Sequence, residues 1–496
     1  MKKIFKVIVL SALSVVLGTS CSDWLDVSPS DQIKEEYLFA TGNGYRTALN
    51  GIYRNMTSFS TYGSNLKWGL VDAWGQVYDA KDKAPISYGG QAMKKIEKLD
   101  YKNYELTPTT DKMWSDLWNL VANCNELAQQ AEKADSMLFH DREKERQMIL
   151  GEAIGLRAYI QFDLLRIYAP SLAMNPGERT FIPYIDVYPS YLSDRQTVSY
   201  CLDKIIRDLK RAQELLWPID GDMSWVGNRF KEERNDEKRF LRSRGYRLNY
   251  CAVTAALARV YLYAGMQDEA YEQAKKMIEL SNYFTALTGK KGEQAINDGD
   301  LKMSDDIFFA LYSPKDQIEW DRLINHGSDK SDKPDEEYFL GLSKEMAEKL
   351  YGDELKKDWR AVAQLEQRGT YYRTLKYYQQ PESYANGKMN NQIVPMFRMS
   401  EIYYIAAEAI YKTNLDEAKG YLTKVKQGRG LTPDLSTVNE ANFLDVLVND
   451  ARREFIGEGQ TFFMYKRTLR PMIGTEEVIA NEENTVLPLP DSESSI

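Results

Sequence analysis

Two stretches of this chain, LARVYLYAGMQDEA at residues 257–270 and IAAEAIYKTNLDEA at residues 405–418, decide its fold class. They align with each other without a gap. Each places alanines and large apolar residues at helical spacing, passes through a short turn, and begins a second helix with Asp-Glu-Ala. A helix hairpin of this kind cannot bury its apolar face alone, so copies of it stack. The two stretches therefore predict an all-α scaffold of stacked helix hairpins.

Helical periodicity continues on both sides of these hairpins. Apolar residues recur at spacings of three and four in 114–128, 149–168, 198–216 and 442–456. The segments between the helices are long, and they run over 62–108, 218–247, 282–334 and 368–395. Loops of this length are usually functional or disordered, and their aromatic residues argue against plain disorder. We therefore predict a helical scaffold that carries its function on long loops.

The first residues of the chain indicate export. A basic start precedes an apolar run, 7–17, which is too short to span a bilayer and suits the core of a signal peptide. Three small residues then lead to Cys21, and this arrangement resembles a bacterial lipobox. We predict that residues 1–20 are a lipoprotein signal peptide and that Cys21 carries the lipid anchor. The alternative is an ordinary signal peptide followed by an unrelated cysteine.

Composition and charge exclude several classes of function. The chain has 496 residues and a formal net charge of −9, which argues against nucleic-acid binding because that needs a basic face. The only histidines are His140 and His326, whereas zinc sites and Ser-His or Cys-His machinery usually need more. The cysteines other than Cys21 lie within apolar helical patterns and are interpreted as buried thiols, with one disulfide among them as the alternative. They are Cys124, Cys201 and Cys251.

Motifs along nearly the whole chain resemble one family. The most specific is PMFRMSEIYYIAAEA at 395–409, and the next is RREFIGEG at 452–459, followed by YKR at 465–467. Weaker matches lie, in chain order, at 24–29, 45–53, 114–125, 155–168 and 487–493. Together, and in this order, they resemble the SusD/RagB family of nutrient-binding lipoproteins of the Gram-negative outer membrane.

The resemblance implies a fold, a location and a partner. The implied fold is four tetratricopeptide-like helix pairs with a ligand face of long loops, and it packs an N-terminal region, 21–230, and a C-terminal region, 231–496, into one globular unit. The implied protein is a lipid-anchored receptor that faces the cell exterior and passes its ligand to a SusC-like TonB-dependent transporter. The expected ligand is an oligosaccharide, with a peptide as the alternative. No enzyme activity, cofactor or resident metal is expected.

Aromatic and polar residues of three long loops are the predicted ligand contacts. Sugar-binding sites present flat aromatic faces to pyranose rings and polar side chains to their hydroxyls. The candidates, loop by loop, are Trp68, Asp72, Trp74 and Tyr78, then Trp225, Asn228 and Arg229, and finally Trp320 and Arg322. Core packing is the alternative for the first loop, because its residues also suit one helical face. Trp114 and Trp118 lie on a scaffold helix and are predicted to be core.

The charged residues of the most specific motifs are interpreted as a structural ion network between helices. Buried charges persist only when they are paired and hydrogen-bonded. The predicted members are Arg398, Glu401, Glu408, Arg452, Arg453, Glu454 and Glu458. The alternative is a carboxylate pair for general acid–base catalysis. A separate acidic stretch offers oxygen ligands for calcium, but its spacing fits no defined loop and a solvated stretch is preferred. Its members are Asp298, Asp300, Asp305 and Asp306.

Two rival functions stay open at this point. One is a surface glycoside hydrolase on a helical scaffold, which needs two carboxylates roughly 5–10 Å apart across a cleft. Nothing in the sequence singles out such a pair. The other is a helical scaffold that binds protein only. The aromatic content of the chain, with 33 Tyr, 17 Phe and 9 Trp, argues for a ligand face instead.

Overall fold

A computed structural model describes residues 35–78, 99–104, 106–231, 240–284, 291–313, 341–473 and 477–494. The described chain is mostly α-helical, which confirms the predicted fold class. The helices are α1 Glu35–Leu38, α2 Gly42–Met56, α3 Leu70–Trp74, α4 Thr107–Lys133, α5 Arg142–Tyr168, α6 Val198–Asp220, α7 Tyr250–Tyr263, α8 Gln267–Glu279, α9 Gly292–Asp298, α10 Lys344–Tyr351, α11 Trp359–Gln364, α12 Gly387–Gln392, α13 Met399–Ile410, α14 Leu415–Gly428, α15 Phe443–Glu454, α16 Thr461–Thr468, α17 Glu482–Thr485 and α18 Asp491–Ser494.

Helix α5 lies at the centre of the N-terminal half. It packs against α4 on one side and α6 on the other, and its whole second part is buried. Gly155 allows this close packing, because a Cβ added there would lie 2.5 Å from Leu248 Cδ2 and 3.2 Å from Ala212 Cβ. A helix enclosed in this way is apolar around most of its circumference rather than along one stripe.

The two hairpins quoted from the sequence are neighbours in space. One is α7 with α8 and the other is α13 with α14, and α8 packs directly against α13. The hydroxyl oxygens of Tyr271 and Tyr421 lie 3.2 Å apart and both donate to Glu417. Residues far apart in the chain therefore form one continuous helical stack. The four tetratricopeptide-like pairs of the family resemblance stay a prediction.

Short strands occupy parts of the segments that lack helical period. The strands are β1 Thr180–Ile182, β2 Gln196–Thr197, β3 Ile307–Tyr312, β4 Gly341–Ser343, β5 Leu365–Arg368, β6 Tyr371–Thr374, β7 Ile393–Arg398, β8 Pro471–Ile473 and β9 Glu477–Ile479. All pairings among them are antiparallel, in the orders β1-β2, β3-β7, β4-β6-β5 and β8-β9. The β3-β7 ribbon leads straight into α13, so it fixes where the second hairpin begins.

Cys124, Cys201 and Cys251 are buried and free, as predicted from their apolar surroundings. Burial raises the pKa of the Cys124 and Cys201 thiols to about 12, which leaves them unreactive at neutral pH. Within the described ranges, no helix combines the length and the apolar character needed to cross a membrane. Cys21 and the predicted signal peptide lie outside the described residues.

Candidate functional site

The structure buries all four ligand candidates of the first long loop. Trp68, Asp72, Trp74 and Tyr78 are each at most 4% exposed. Trp74 packs on the ring of Phe462 at the start of α16. These side chains offer no surface to a ligand in this structure, so the prediction of a ligand face here is corrected to core packing. The physical reason is that the short helix α3 packs against α16 instead of rising above the scaffold.

Asp72 joins the two halves of the chain. Its carboxylate accepts hydrogen bonds from the backbone N–H of Gly457 at 2.6 Å and of Gly459 at 2.9 Å. Both glycines are left-handed, with φ of +80° and +69°, a conformation that other residues adopt only with strain. Burial raises the pKa of Asp72 to about 8, although the two N–H donors oppose that shift. Asp72 is thus a structural contact between the α3 segment and the turn before α16.

The second loop is held against the scaffold by two of its three candidates. The buried Trp225 indole donates to the Asp220 carbonyl at 3.0 Å. The Arg229 guanidinium donates to backbone carbonyls, including that of Ile307 at 2.8 Å. Asn228 is exposed, so it is the candidate of this loop that faces solvent. The third-loop candidates, Trp320 and Arg322, lie outside the described residues.

Three of the predicted ion-network residues meet in the core. Arg398 Nε donates to Glu458 at 2.9 Å, and its Nη1 lies 3.5 Å from a Glu454 carboxylate oxygen. All three side chains are buried. Arg453 joins the same network through Asp358, at 3.3 Å.

The other predicted members have different partners. Glu401 pairs with Arg259, with hydrogen bonds of 2.6 and 2.7 Å, and Glu408 pairs with Arg467. Arg452 donates to the Ile473 carbonyl at 2.8 Å and pairs with no carboxylate among the described residues. The single network expected from the motifs is therefore corrected to one large network and two separate pairs.

The large network also contains residues that were not predicted from the sequence, among them Arg360 and Arg429, which both contact the predicted Glu454. Glu454 is at its centre, where it binds Arg429 at 2.6 Å and Arg360 at 3.2 Å as well as facing Arg398. Burial alone would raise the pKa of Glu454, but the three guanidinium groups hold it well below its ordinary value. Further members are Asp306, Glu354, Asp358, Lys376, Lys426 and Asp450. No periodicity distinguishes these residues from solvated charges.

Asp306 belongs to the acidic stretch considered for calcium, and it pairs with Arg429 instead. Asp300 accepts hydrogen bonds from the backbone N–H and the hydroxyl of Ser304. Among the described residues, no group of three or more acidic, histidine or cysteine side chains is placed to hold a metal ion.

A surface groove of about 650 Å³ lies along α4, beside Trp114 and Trp118, which the sequence predicts to be core. We name it the Trp118 groove. It is lined by residues of α4, here called its floor, by residues of the segment 181–195, here called its wall, and by Glu493. The lining residues of the floor are Trp114, Trp118, Val121 and Ala122, and those of the wall are Phe181, Pro183, Ile185 and residues 190–195. Trp114 is buried as predicted, but Trp118 is only partly buried and lines the groove. In the sequence, the only indication of a ligand groove here was the pair Trp114 and Trp118 at helix positions i and i+4. The same spacing is typical of a buried helix face.

The wall of the Trp118 groove is pinned to the scaffold. The Gln129 amide of α4 makes two hydrogen bonds to the backbone of Tyr188, at 2.6 and 2.9 Å. Asn125 of the same helix donates to the Ile185 carbonyl at 3.1 Å. Beyond these anchors the chain holds Tyr191 85% exposed and Leu192 79% exposed. The wall therefore presents a tyrosine to solvent from a well-fixed backbone.

Polar groups at one end of the groove are acidic or already engaged. Glu493 accepts a hydrogen bond from the Trp114 indole at 3.3 Å, and its backbone carbonyl accepts one from Arg195. Desolvation, helped by the neighbouring Asp491, raises the pKa of Asp111, one turn before Trp114. Among the described residues, the Asp194 carboxylate has no hydrogen-bond or ion-pair partner. The groove thus combines an aromatic floor and rim with carboxylates at its edge.

The helical stack and its motifs define a SusD-like protein, and comparison with known proteins agrees. The SusD family profile matches residues 242–485, and a second profile, described as "Starch-binding associating with outer membrane", matches residues 23–220. The chain belongs to the SusD/RagB family. The two matched stretches lie on either side of the region boundary expected at 230, which itself stays a prediction.

Curated relatives and solved structures are similar over large parts of the chain. The SusD-like protein P38 of Formosa agariphila is 23% identical over 313 residues, which is 62% of this chain and 51% of that protein. The chain thus matches about half the length of this relative. A SusD superfamily protein from Bacteroides thetaiotaomicron has a TM-score of 0.66 at 22% identity, covering 92% of this chain and 98% of its own. A SusD-like carbohydrate binding protein from Bacteroides vulgatus has a TM-score of 0.67 at 17% identity, with 92% and 96% covered.

Proposed function

We propose that this protein is a nutrient-binding lipoprotein of the outer membrane that captures an oligosaccharide and delivers it to a SusC-like TonB-dependent transporter. The observation that carries the proposal is membership of the SusD/RagB family, supported by matches to both halves of the chain. One matched profile is described as starch-binding and associated with the outer membrane. One structural neighbour is described as carbohydrate binding. Capture and delivery require no bond to be made or broken, so we propose that the protein is not an enzyme.

The lipid on Cys21 is the proposed attachment to the outer membrane, with the folded part facing the cell exterior. A diacylglycerol thioether with a further acyl chain anchors stably, because each buried methylene contributes about 0.8 kcal/mol. A Cys21→Ala variant should fold and bind ligand normally but leave the membrane fraction. Cell fractionation with detection of the protein measures this, and a Cys124→Ala variant is the matched control. Loss of folding in the Cys21→Ala variant would show that this cysteine has another role.

The proposed ligand is an oligosaccharide, and a peptide is the alternative. Asn228 faces solvent and keeps its proposed role as a ligand contact. Trp320 and Arg322, which lie outside the described residues, keep the same proposed role. Trp225 and Arg229 are proposed to act by holding that loop, since their polar groups bind backbone carbonyls.

The test is a calorimetric titration of the detergent-extracted lipoprotein with neutral oligosaccharides, acidic oligosaccharides and peptides. Binding to a glycan and recovery of a transporter barrel from membranes with the tagged protein are the expected results. An Asn228→Ala variant should bind more weakly, and Asn55→Ala, which alters an exposed asparagine of α2, is the control. A protein that binds peptides alone, or that binds nothing and recovers no transporter, contradicts the proposal.

Enzyme activity is tested in the same samples. Release of new reducing ends from the bound glycan, abolished by changing a single carboxylate, would identify a glycoside hydrolase and overturn the proposed role. The expected result is that the glycan is recovered intact.

A further inference from the structure

We propose that the Trp118 groove is a binding site for a neutral oligosaccharide. In this site a sugar ring lies against Tyr191 and Trp118, and its hydroxyls donate to the carboxylates of Asp194 and Glu493. The inference rests on the proposed function and adds to it a site whose residues differ from the loop residues predicted from the sequence.

The size of the groove fits a ligand rather than a water molecule. Small-molecule sites usually enclose about 300–1,000 Å³, and this groove has a volume of about 650 Å³. A second cavity, lined by Arg259, Glu401 and Arg467, has about 50 Å³ and lies among paired charges of the core. That smaller space has room for ordered water alone. The Trp118 groove is therefore a cavity of ligand size that opens beside an exposed tyrosine.

The aromatic groups of the groove are placed for stacking. Tyr191 is 85% exposed. This exposure does not stabilise the fold, because an aromatic ring in water contributes no free energy of burial. Trp118 is partly buried, and its ring meets that of Trp114 edge-on with centroids 5.6 Å apart. Trp114 in turn contacts Tyr168 of the core, at 4.7 Å. The Trp118 ring is thereby held in one orientation from below. Tyr and Trp combine an apolar face with a polar tip, which suits a sugar ring whose faces are apolar and whose edge is hydroxylated.

The backbone of the wall is already fixed by hydrogen bonds in the absence of a ligand. Gln129 donates to and accepts from the backbone of Tyr188, and Asn125 donates to the Ile185 carbonyl, which fixes the backbone on one side of Tyr191. Arg195 fixes it on the other side, by donating to the Glu493 carbonyl. Ordering a mobile loop costs part of the binding free energy, and a wall already fixed avoids that cost.

The charges of the groove select a neutral ligand. Asp194 and Glu493 line it, and Asp491 lies two residues before Glu493. Of the described residues that line the groove, only Arg195 is basic, and it already donates to a backbone carbonyl. An acidic sugar would bring its carboxylate or sulfate towards these acids, and like charges at close range are repelled. Carboxylates accept strong hydrogen bonds from hydroxyl groups. A neutral sugar therefore gains binding free energy beside these acids, whereas an acidic sugar loses it through charge repulsion.

The first test compares Tyr191→Ala with Tyr37→Ala, which alters another exposed tyrosine, 71% exposed, that does not line the groove. The detergent-extracted full-length protein is titrated calorimetrically with neutral hexose oligosaccharides and with oligogalacturonates. Tyr191→Ala should weaken binding of the neutral oligosaccharide about tenfold, as expected for loss of an aromatic contact, whereas Tyr37→Ala should bind like the wild type. Unfolding curves of both variants are measured alongside.

The second test changes the rim charge alone. Asp194→Asn keeps the shape of the side chain and should weaken binding of the neutral oligosaccharide about threefold, because an amide oxygen is a weaker acceptor than a carboxylate. It should also improve binding of the oligogalacturonates. An oligogalacturonate that binds the wild type more tightly than the neutral oligosaccharide does would overturn the charge argument and with it the proposal.

The outcomes separate this inference from the proposed function. If the wild type binds a neutral glycan and both groove variants bind it equally well, the function stands and the groove is not the site. If no glycan binds, both proposals fall. If Tyr191→Ala leaves glycan binding unchanged but abolishes recovery of a transporter, the groove is a protein interface and the present inference is wrong.

Discussion

The buried ion network and the Trp118 groove use the same kinds of residue in opposite ways. In the network, Glu454 is buried and is surrounded by Arg360, Arg398 and Arg429. In the groove, Asp194 stands at a solvated rim beside an exposed tyrosine. The charges of the network are fully used in holding helices together. In the groove, the Asp194 carboxylate has no partner among the described residues, and a binding site needs such an available group.

The aromatic residues divide in the same way. Trp68 and Trp74 lie in a segment that looked like a ligand loop, yet both are among the largest fully or nearly fully buried side chains. Trp118 lies on a scaffold helix, yet it lines the groove. The exposure of a tryptophan is therefore not decided by whether it lies in a loop or in a helix. What decides it is whether another segment covers it.

The largest expected effect is on the network. Glu454→Ala leaves three guanidinium groups facing one another without their shared carboxylate, and the free energy of unfolding should fall by about 3–5 kcal/mol. Urea denaturation followed by circular dichroism measures this. Glu483→Ala, at an exposed glutamate of α17, is the control and should change stability little. A small effect of Glu454→Ala would mean that the network is not essential to the fold.

The second largest expected effect is a fall in the free energy of unfolding at acid pH, because acid weakens the ion network. Burial alone would raise the pKa values of Glu454 and Glu458, but their guanidinium and ammonium partners hold both below the ordinary value. The unfolded chain therefore takes up protons near pH 4, about the ordinary pKa of glutamate, where the folded protein does not. The stabilisation is present above that pH and is lost as the pH falls further.

The measurement is the free energy of unfolding from about pH 7 down to about pH 3. A Glu454→Gln variant should show a shallower fall than the wild type. Parallel curves for the two proteins would contradict the assignment of this pH dependence to Glu454.

A smaller effect is expected where the N-terminal segment meets the network. A Cβ at Gly459 would lie 2.1 Å from the Leu66 carbonyl oxygen, in a backbone with φ of +69°. Gly459→Ala should therefore destabilise the protein by about 1–3 kcal/mol, the usual cost of such strain. Gly420→Ala is the matched control, because no atom lies within 4 Å of its Cβ. That helical position should gain roughly 0.5–1 kcal/mol, and equal effects of the two changes would refute the strain argument.

The smallest expected effect on stability is in the groove. Tyr191 is 85% exposed, so Tyr191→Ala should leave the free energy of unfolding within about 0.5 kcal/mol of the wild type. Thermal and urea unfolding measure it. A larger loss would mean that the wall segment supports the fold, and the contrast between network and groove would disappear.

Much of the scaffold could be predicted from the sequence. The two hairpins are encoded by local spacing, and the structure has helices at both, with α8 packed on α13. Among the motif charges, the structure places Arg398, Glu454 and Glu458 together in the core. Their partners were harder to find. Arg360 and Arg429 come from segments whose spacing carries no signal of burial.

The candidate site was less accessible to sequence reasoning. Aromatic residues in a long segment suggested a ligand face, but α3 folds into the core and buries Trp68, Asp72, Trp74 and Tyr78. The groove depends on residues 181–195 meeting α4 and on Glu493 returning from the end of the described chain. No spacing rule links three segments so far apart.

The sequence by itself determined the helical hairpins and the family, because these rest on local periodicity and on the order of motifs. Tertiary structure alone decided which charges are paired and which aromatic residues meet solvent. Burial and pairing are properties of contacts between distant segments, and a side chain such as Trp118 takes its role from what packs over it. The helices are determined by residues close together in the sequence, whereas the groove is formed by segments that are close together only in the folded structure.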